Sequence, residues 1–255
     1  MKEIRKGTYT LDMPDFEGVE FTESSKEALS LPEAVKFAAD QHTILHSLRE
    51  AAAVRIETAG AGESEYHQAT RTCAIYFKDS SKFYVAFDDI PDPQQNIILA
   101  RVQEGSDVHW DHQHHKKFPC QDFLLSKQDP HIEQILKRAE KSDRIVEVVE
   151  SPLVLATKAS SGISKFGSNK TVQALFGDVA EPYTAMQNSR KYDLGFVYVL
   201  TPESLDNTVD TKNAVVRPVG LGNVNYDDVS GVDANFQFFN GGRSRGVRNA
   251  KEYTR

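Results

Sequence analysis

Cysteine, tryptophan and long apolar runs are what this chain has least of. Its two cysteines, Cys73 and Cys120, form neither a C-x-x-C pair nor a disulfide framework. That excludes a disulfide-stapled scaffold and a paired-cysteine zinc site, and it predicts a reducing, intracellular setting, either the cytoplasm or a particle assembled inside a cell. A membrane-spanning helix needs about 18–20 consecutive apolar residues. The longest apolar runs, Ala74–Phe77, Ile97–Ala100 and Phe196–Leu200, are strand-sized, so no membrane partner is expected. No apolar stretch follows the basic opening Lys2-Glu3-Ile4-Arg5-Lys6, so secretion through a signal peptide is not expected either. Positive charge is also short: 30 Lys and Arg face 37 Asp and Glu, a net charge of −7. A surface coated overall by nucleic acid is thereby excluded, although local basic patches remain open to it.

What is present reads as a globular chain. At roughly 150 residues per domain, 255 residues lie between one domain and two. No repeat, low-complexity tract or central linker divides them. Residues 1–29 carry scattered Tyr9, Leu11, Phe16, Val19 and Phe21 among many acids, which predicts an extended N-terminal arm. Ser30 as a cap, Pro32 and Glu33 then open a long amphipathic helix from Leu31 to about Glu57. Its apolar face repeats as Val35, Ala38, Ala39, His42, Leu45, Leu48 and Ala52. Thr70–Lys78 and Lys82–Asp88 read as a hairpin turned by Asp79-Ser80-Ser81, with further strands at 96–102, 118–126, 144–157 and 195–201. From Gly220 the composition shifts to Gly, Asn and Asp with isolated aromatics, which predicts a loop-rich, basic C-terminal arm over 220–255. The expected fold is a single α+β domain over 30–219, with a long helix near the N-terminus, a mainly antiparallel sheet and extended arms at both ends.

Three segments hold side chains suited to chemistry. The run His109-Trp110-Asp111-His112-Gln113-His114-His115 concentrates imidazole and carboxylate, the ligands of Zn²⁺ and other divalent transition metals. In an extended conformation His109, Asp111 and His115 fall on one side, two histidines and a carboxylate that leave coordination positions open. A second segment runs from Gly162 through Lys165 and Gly167 to Lys170-Thr171, between a strand-like and a helix-like stretch. Backbone N–H groups and lysines attract anions in that context, but Ser168-Asn169 separates Gly167 from Lys170 and breaks the P-loop pattern. The third is the C-terminal run of Arg243, Arg245 and Arg248 among Phe236, Phe238, Phe239 and Tyr253. Basic residues interleaved with aromatics suit phosphate contact and base stacking, or docking on an acidic surface such as the chain's own Asp12–Glu23 stretch.

These features predict a non-enzymatic subunit of a larger assembly, a virion-type particle included, that self-associates or joins other subunits through its arms. The reason is cost: ordering backbone loses about 1–2 kcal/mol per residue, and the anchors in the two arms look too sparse to offset that alone. The alternative is a metal-dependent hydrolase or nuclease using the 109–115 cluster. A second alternative is a nucleic-acid-binding module that grips phosphates with Lys165, Lys170, Arg243, Arg245 and Arg248.

Overall fold

A computed structural model describes residues 1–29, 31–59, 66–80, 83–86, 108–111, 116–119, 123–139, 145–148, 153–156, 166–190, 194–198, 211–222, 229–233 and 242–249. Among these the chain is mostly β, and no helix exceeds ten residues. The strands in chain order are β1 (Lys2–Arg5), β2 (Thr8–Thr10), β3 (Val19–Thr22), β4 (Ile44–Leu45), β5 (Gln68–Phe77), β6 (Phe83–Ala86), β7 (Val108–Asp111) and β8 (Lys116–Pro119). They continue as β9 (Phe123–Ser126), β10 (Ile145–Val148), β11 (Leu153–Ala156), β12 (Leu194–Tyr198), β13 (Asn213–Leu221), β14 (Val229–Asp233) and β15 (Gly246–Asn249). The helices are α1 (Leu31–Asp40), α2 (Leu48–Glu57), α3 (Pro130–Ala139), α4 (Lys170–Phe176) and α5 (Ala180–Ser189).

The larger sheet runs β10-β6-β5-β13-β14-β12-β11, with β9 also paired to β13. Its pairs are antiparallel except β12 with β14. Strand β5 is rich in β-branched and aromatic residues, which suit a pleated surface, and all ten of its positions are buried. Successive side chains point to opposite faces, so Ala74 and Tyr76 enter one core while Cys73, Ile75 and Phe77 enter another. Strand β13 divides likewise, Val215, Val219 and Leu221 against Ala214 and Val216. The first core is closed by α2, α4 and α5 through Leu48, Ala51, Val54, Leu175, Phe176 and Tyr183. The second is closed by Leu31, Ala34 and Ala38 of α1 and Ile132 of α3.

The long N-terminal helix does not form. Helix α1 stops at Asp40, where Thr43 N–H donates to Ala38 O (3.0 Å) and His42 N–H to Ala39 O (2.9 Å). These two bonds are a Schellman stop, with His42 at φ 55° in the position that glycine usually takes. The chain then extends through Ile44 and Leu45 and restarts at Ser47. There Ser47 Oγ accepts from Glu50 N–H (3.3 Å) while the Glu50 carboxylate accepts from Ser47 N–H (2.5 Å). This capping box satisfies two otherwise orphan donors. An apolar period that continues through 41–47 therefore conceals a break made by backbone hydrogen bonds.

Nor do the described residues of 1–29 and 242–249 form extended arms. Strands β1, β2 and β3 and the C-terminal β15 make, with β4, a five-stranded antiparallel sheet in the order β1-β2-β3-β15-β4. Phe21 of β3 is wholly buried, and Leu11, Phe16 and Val247 join the same core as α2. Each end supplies what the other lacks, because the antiparallel ladder satisfies the backbone of both.

Candidate functional site

The chain ends meet along a seam that the sequence does not announce. Ser25 N–H donates to Ser244 O (2.8 Å), and Leu29 and Gly242 exchange backbone bonds of 2.9 and 3.0 Å. On the other side Arg243 N–H donates to His67 O (2.7 Å), Ala69 N–H to Arg243 O (3.3 Å) and His46 N–H to Arg245 O (3.0 Å). Two glycines permit this approach. A Cβ at 242 would stand 2.4 Å from the Ala69 nitrogen, and one at 246 would stand 1.8 Å from Thr43 Oγ1.

Buried charge lines the seam. Arg71 in β5 forks onto the Glu50 carboxylate at 2.7 and 3.2 Å and also donates to Leu45 O. Burial works to raise the Glu50 pKa, but Arg71 and the Ser47 bonds outweigh it and hold the carboxyl below its ordinary value. Arg245, itself buried, donates to Thr22 O at 2.9 Å. Between them lies His46, wholly buried, with Nε2 2.9 Å from Ala69 O. A carbonyl there calls for a donor, which assigns the proton to Nε2. The Nδ1 atom is buried without a hydrogen-bond partner among the described residues. Burial pushes the His46 pKa down to about 4; Glu50 and the Ala69 bond oppose that shift, while Arg245 and Arg71 reinforce it.

A third guanidinium anchors the outer end of the seam. Arg55 of α2 is fully buried and donates to Gly222 O (2.6 Å), the Tyr183 hydroxyl (3.2 Å) and Tyr66 O (2.9 Å). Burial, and then the Arg55 charge, lower the His67 pKa to about 4. Above this anchor Tyr66 stands 43% exposed. The Arg243 guanidinium lies over its ring, 4.9 Å from the centroid, and donates to Ser25 O at 2.8 Å. A surface aromatic with a cation on its face, both tied to buried backbone, is a rigid contact element.

The candidate residues from the sequence separate into different places. Arg243 and Arg245 line the seam, and Arg248 of β15 donates to Glu20 at 2.7 Å, sharing that oxygen with Arg5. The acidic N-terminal stretch and the basic C-terminal one do complement each other, within a single chain. Lys170 is exposed at the start of α4, a helix whose first N–H groups are taken by Asn169 Oδ1, which accepts from Thr171 (2.9 Å) and Val172 (3.4 Å). His109 and Asp111 occupy alternate positions of β7 and so share a face of the two-stranded β7–β8 ribbon, where Asp111 is in register with Lys116 and His109 with Phe118. His115, Lys165 and Cys120 lie outside the described residues. Among the described residues no three His, Cys, Asp or Glu side chains gather as a metal site.

Sequence reasoning missed His46, Glu50, Arg55 and Arg71. Two signals for them were present. Ser47-x-x-Glu50 is a capping-box pattern, and Arg71 interrupts an otherwise strand-like run, where a charge needs a buried partner.

No protein-family model matches the chain, and no curated protein matches it. A solved structure described by the words "Accommodation of massive sequence variation in Nanoarchaeota by the C-type lectin fold" is similar, with a TM-score of 0.56, 9% identity, and coverage of 88% of this chain and 94% of that chain. At that identity the likeness shows the fold alone. A mostly β, C-type-lectin-like body thus replaces the expected α+β domain with its long helix and free arms.

Proposed function

We propose that this chain is a non-enzymatic binding subunit that associates with further copies of itself, its C-type-lectin-like frame presenting a preformed contact surface. The observation that carries this reading is the Tyr66–Arg243 pair, an exposed ring under a guanidinium. Both members are held from beneath, Tyr66 O by buried Arg55 and Arg243 by Ser25 O. Tyrosine and arginine are the residues most enriched among those that dominate protein interfaces. Holding them in place beforehand removes part of the ordering cost of association. The fold neighbour is described as accommodating massive sequence variation. Under this proposal the present chain carries its contact surface on a frame of that fold. Contact through free arms is set aside, because the strands within 2–22 and Gly246–Asn249 lie in the chain's own sheet.

Light scattering across a concentration series tests the proposal. The expected mass is a multiple of 28.5 kDa for the unaltered chain, falling to a single copy in Tyr66→Ala with little change in stability. A single-copy mass at all concentrations, unaltered by Tyr66→Ala, overturns it. The metal-dependent alternative rests on the alternate positions of His109 and Asp111 in β7, with Lys116 in register with Asp111. Stoichiometric zinc in untagged protein, lost in His109→Ala, would favour that alternative.

A further inference from the structure

The seam holds two histidines that the binding proposal does not use, His46 wholly buried and His67 partly buried. His46 sits where three elements converge. Glu50 faces it from α2, Arg71 from β5 and Arg245 from the segment entering β15. Its backbone bridges the two sheets, taking a bond from Arg71 N–H at 3.0 Å and giving one to Arg245 O at 3.0 Å. His67 accepts the Arg243 N–H bond at its carbonyl and faces Arg55 of α2. The charges around His46 are two guanidiniums and one carboxylate, so a proton on its ring adds a second uncompensated positive charge to a buried position. The proton would also sit on Nδ1, which has no acceptor among the described residues.

What the seam joins is weakly anchored by apolar burial. Among the described residues of 242–249, Val247 is the one buried hydrophobic side chain. The rest of the attachment is backbone hydrogen bonds, glycine contacts and arginine-to-carbonyl bonds. Segments held in this way open at lower free energy than an apolar core.

We propose that this seam is an acid-sensitive latch: protonation of His46 and His67, beside Arg71, Arg245 and Arg55, frees 242–249 from 19–29 and 44–46 while the β5–β13 core stays folded. Opening would also part Arg243 from Tyr66. The latch itself stands whether or not that pair binds a partner, because it is read on a lone chain.

The sign follows from linkage. In the closed chain both rings hold pKa values of about 4, lowered first by burial. Once exposed by opening they return to about 6.5. The closed state is therefore favoured above 6.5, and the open state takes up protons as the pH falls from 6.5 toward 4.

Hydrogen exchange at pH 7.5, 6 and 5, with each rate corrected for intrinsic exchange, reads the latch directly. Between pH 7.5 and 5 the opening constant of 242–249 and 19–22 is expected to rise by about thirtyfold for each histidine exposed. Protection of 72–77 and 213–221, whose backbone bonds lie outside the seam, should change far less. His46→Gln combined with His67→Gln, neutral at every pH, should abolish the pH dependence. Flat protection of 242–249 down to pH 5, equal loss in seam and core, or an equally steep fall in the double glutamine variant each overturns the proposal. Should that variant not fold, imidazole proton resonances of the unaltered chain decide. Rings that titrate near 6.5 in the closed state overturn it, and rings that stay neutral until the seam signals are lost support it.

Discussion

Strand β13 enters the interior with Ala214, Val215, Val216, Val219 and Leu221, whereas the described part of 242–249 brings Val247. Both stretches contribute an interior strand to a sheet, β13 and β15, yet opposite chemistry holds them. Around β5 and β13 the stabilisation is apolar area removed from water, which is non-directional and shared among many neighbours. Along the seam it is a set of directional bonds from Arg71, Arg245, Arg243 and His46, together with two places where only glycine fits. A region of the first kind tolerates changes of shape that conserve volume. A region of the second kind depends on individual atoms and on pH, since a buried polar group left without its partner costs its full desolvation.

Substitutions that break one region and spare the other sharpen this contrast. The largest effect is expected for Arg71→Ala, which removes the partner of the Glu50 carboxylate and the bond to Leu45 O. Breaking a buried pair costs about 3–5 kcal/mol, and the low end applies because the Glu50 side chain keeps 14% exposure. Urea unfolding measures it, and a loss below about 1 kcal/mol would place the pair among surface bridges. Gly246→Ala comes next. The added methyl would meet Thr43 Oγ1 at 1.8 Å, and forcing β15 from β4 is expected to destabilise by about 2 kcal/mol. Exchange protection should fall at 246–249 before it falls at 68–77. The smallest effect is expected in the apolar core, where Ile75→Val removes one methylene from a fully buried site at about 1 kcal/mol. It should leave the pH dependence of the seam unaltered. A core substitution that shifted that dependence would show the two regions to be one cooperative unit.

How legible these regions were follows from the range of the interactions that make them. The β5–β6 hairpin was readable, because β-branched and aromatic runs flank Asp79-Ser80 and the pairing is local, Cys73 to Ala86 through Tyr76 to Phe83. The helix over 31–57 was misread as unbroken, because Ala38, His42, Leu45 and Leu48 keep a helical period across the break. The stop lies in backbone bonds around His42, which takes a left-handed conformation uncommon outside glycine. The ends were read as arms because Phe21 and Val247 look isolated in the sequence. In the structure they lie opposite each other in one ladder, so each is the other's missing neighbour. Of the candidate site, the sequence marks Arg243, Arg245 and Arg248 as basic residues suited to phosphate contact, while their bonds to Ser25 O, Thr22 O and Glu20 depend on residues more than two hundred positions away.

Composition and pattern by themselves determined that this chain has a sizeable interior and no run of residues apolar and long enough for a membrane helix, and they marked the β-rich middle. These properties depend on residue counts and on neighbours a few positions apart. Only the tertiary structure decided that residues 19–29 and 242–249 lie side by side, that His46 sits among Glu50, Arg71 and Arg245, and that Arg243 covers Tyr66. The partners in these contacts are separated by long stretches of chain, and the directional bonds that select them exist only once the sheets have formed.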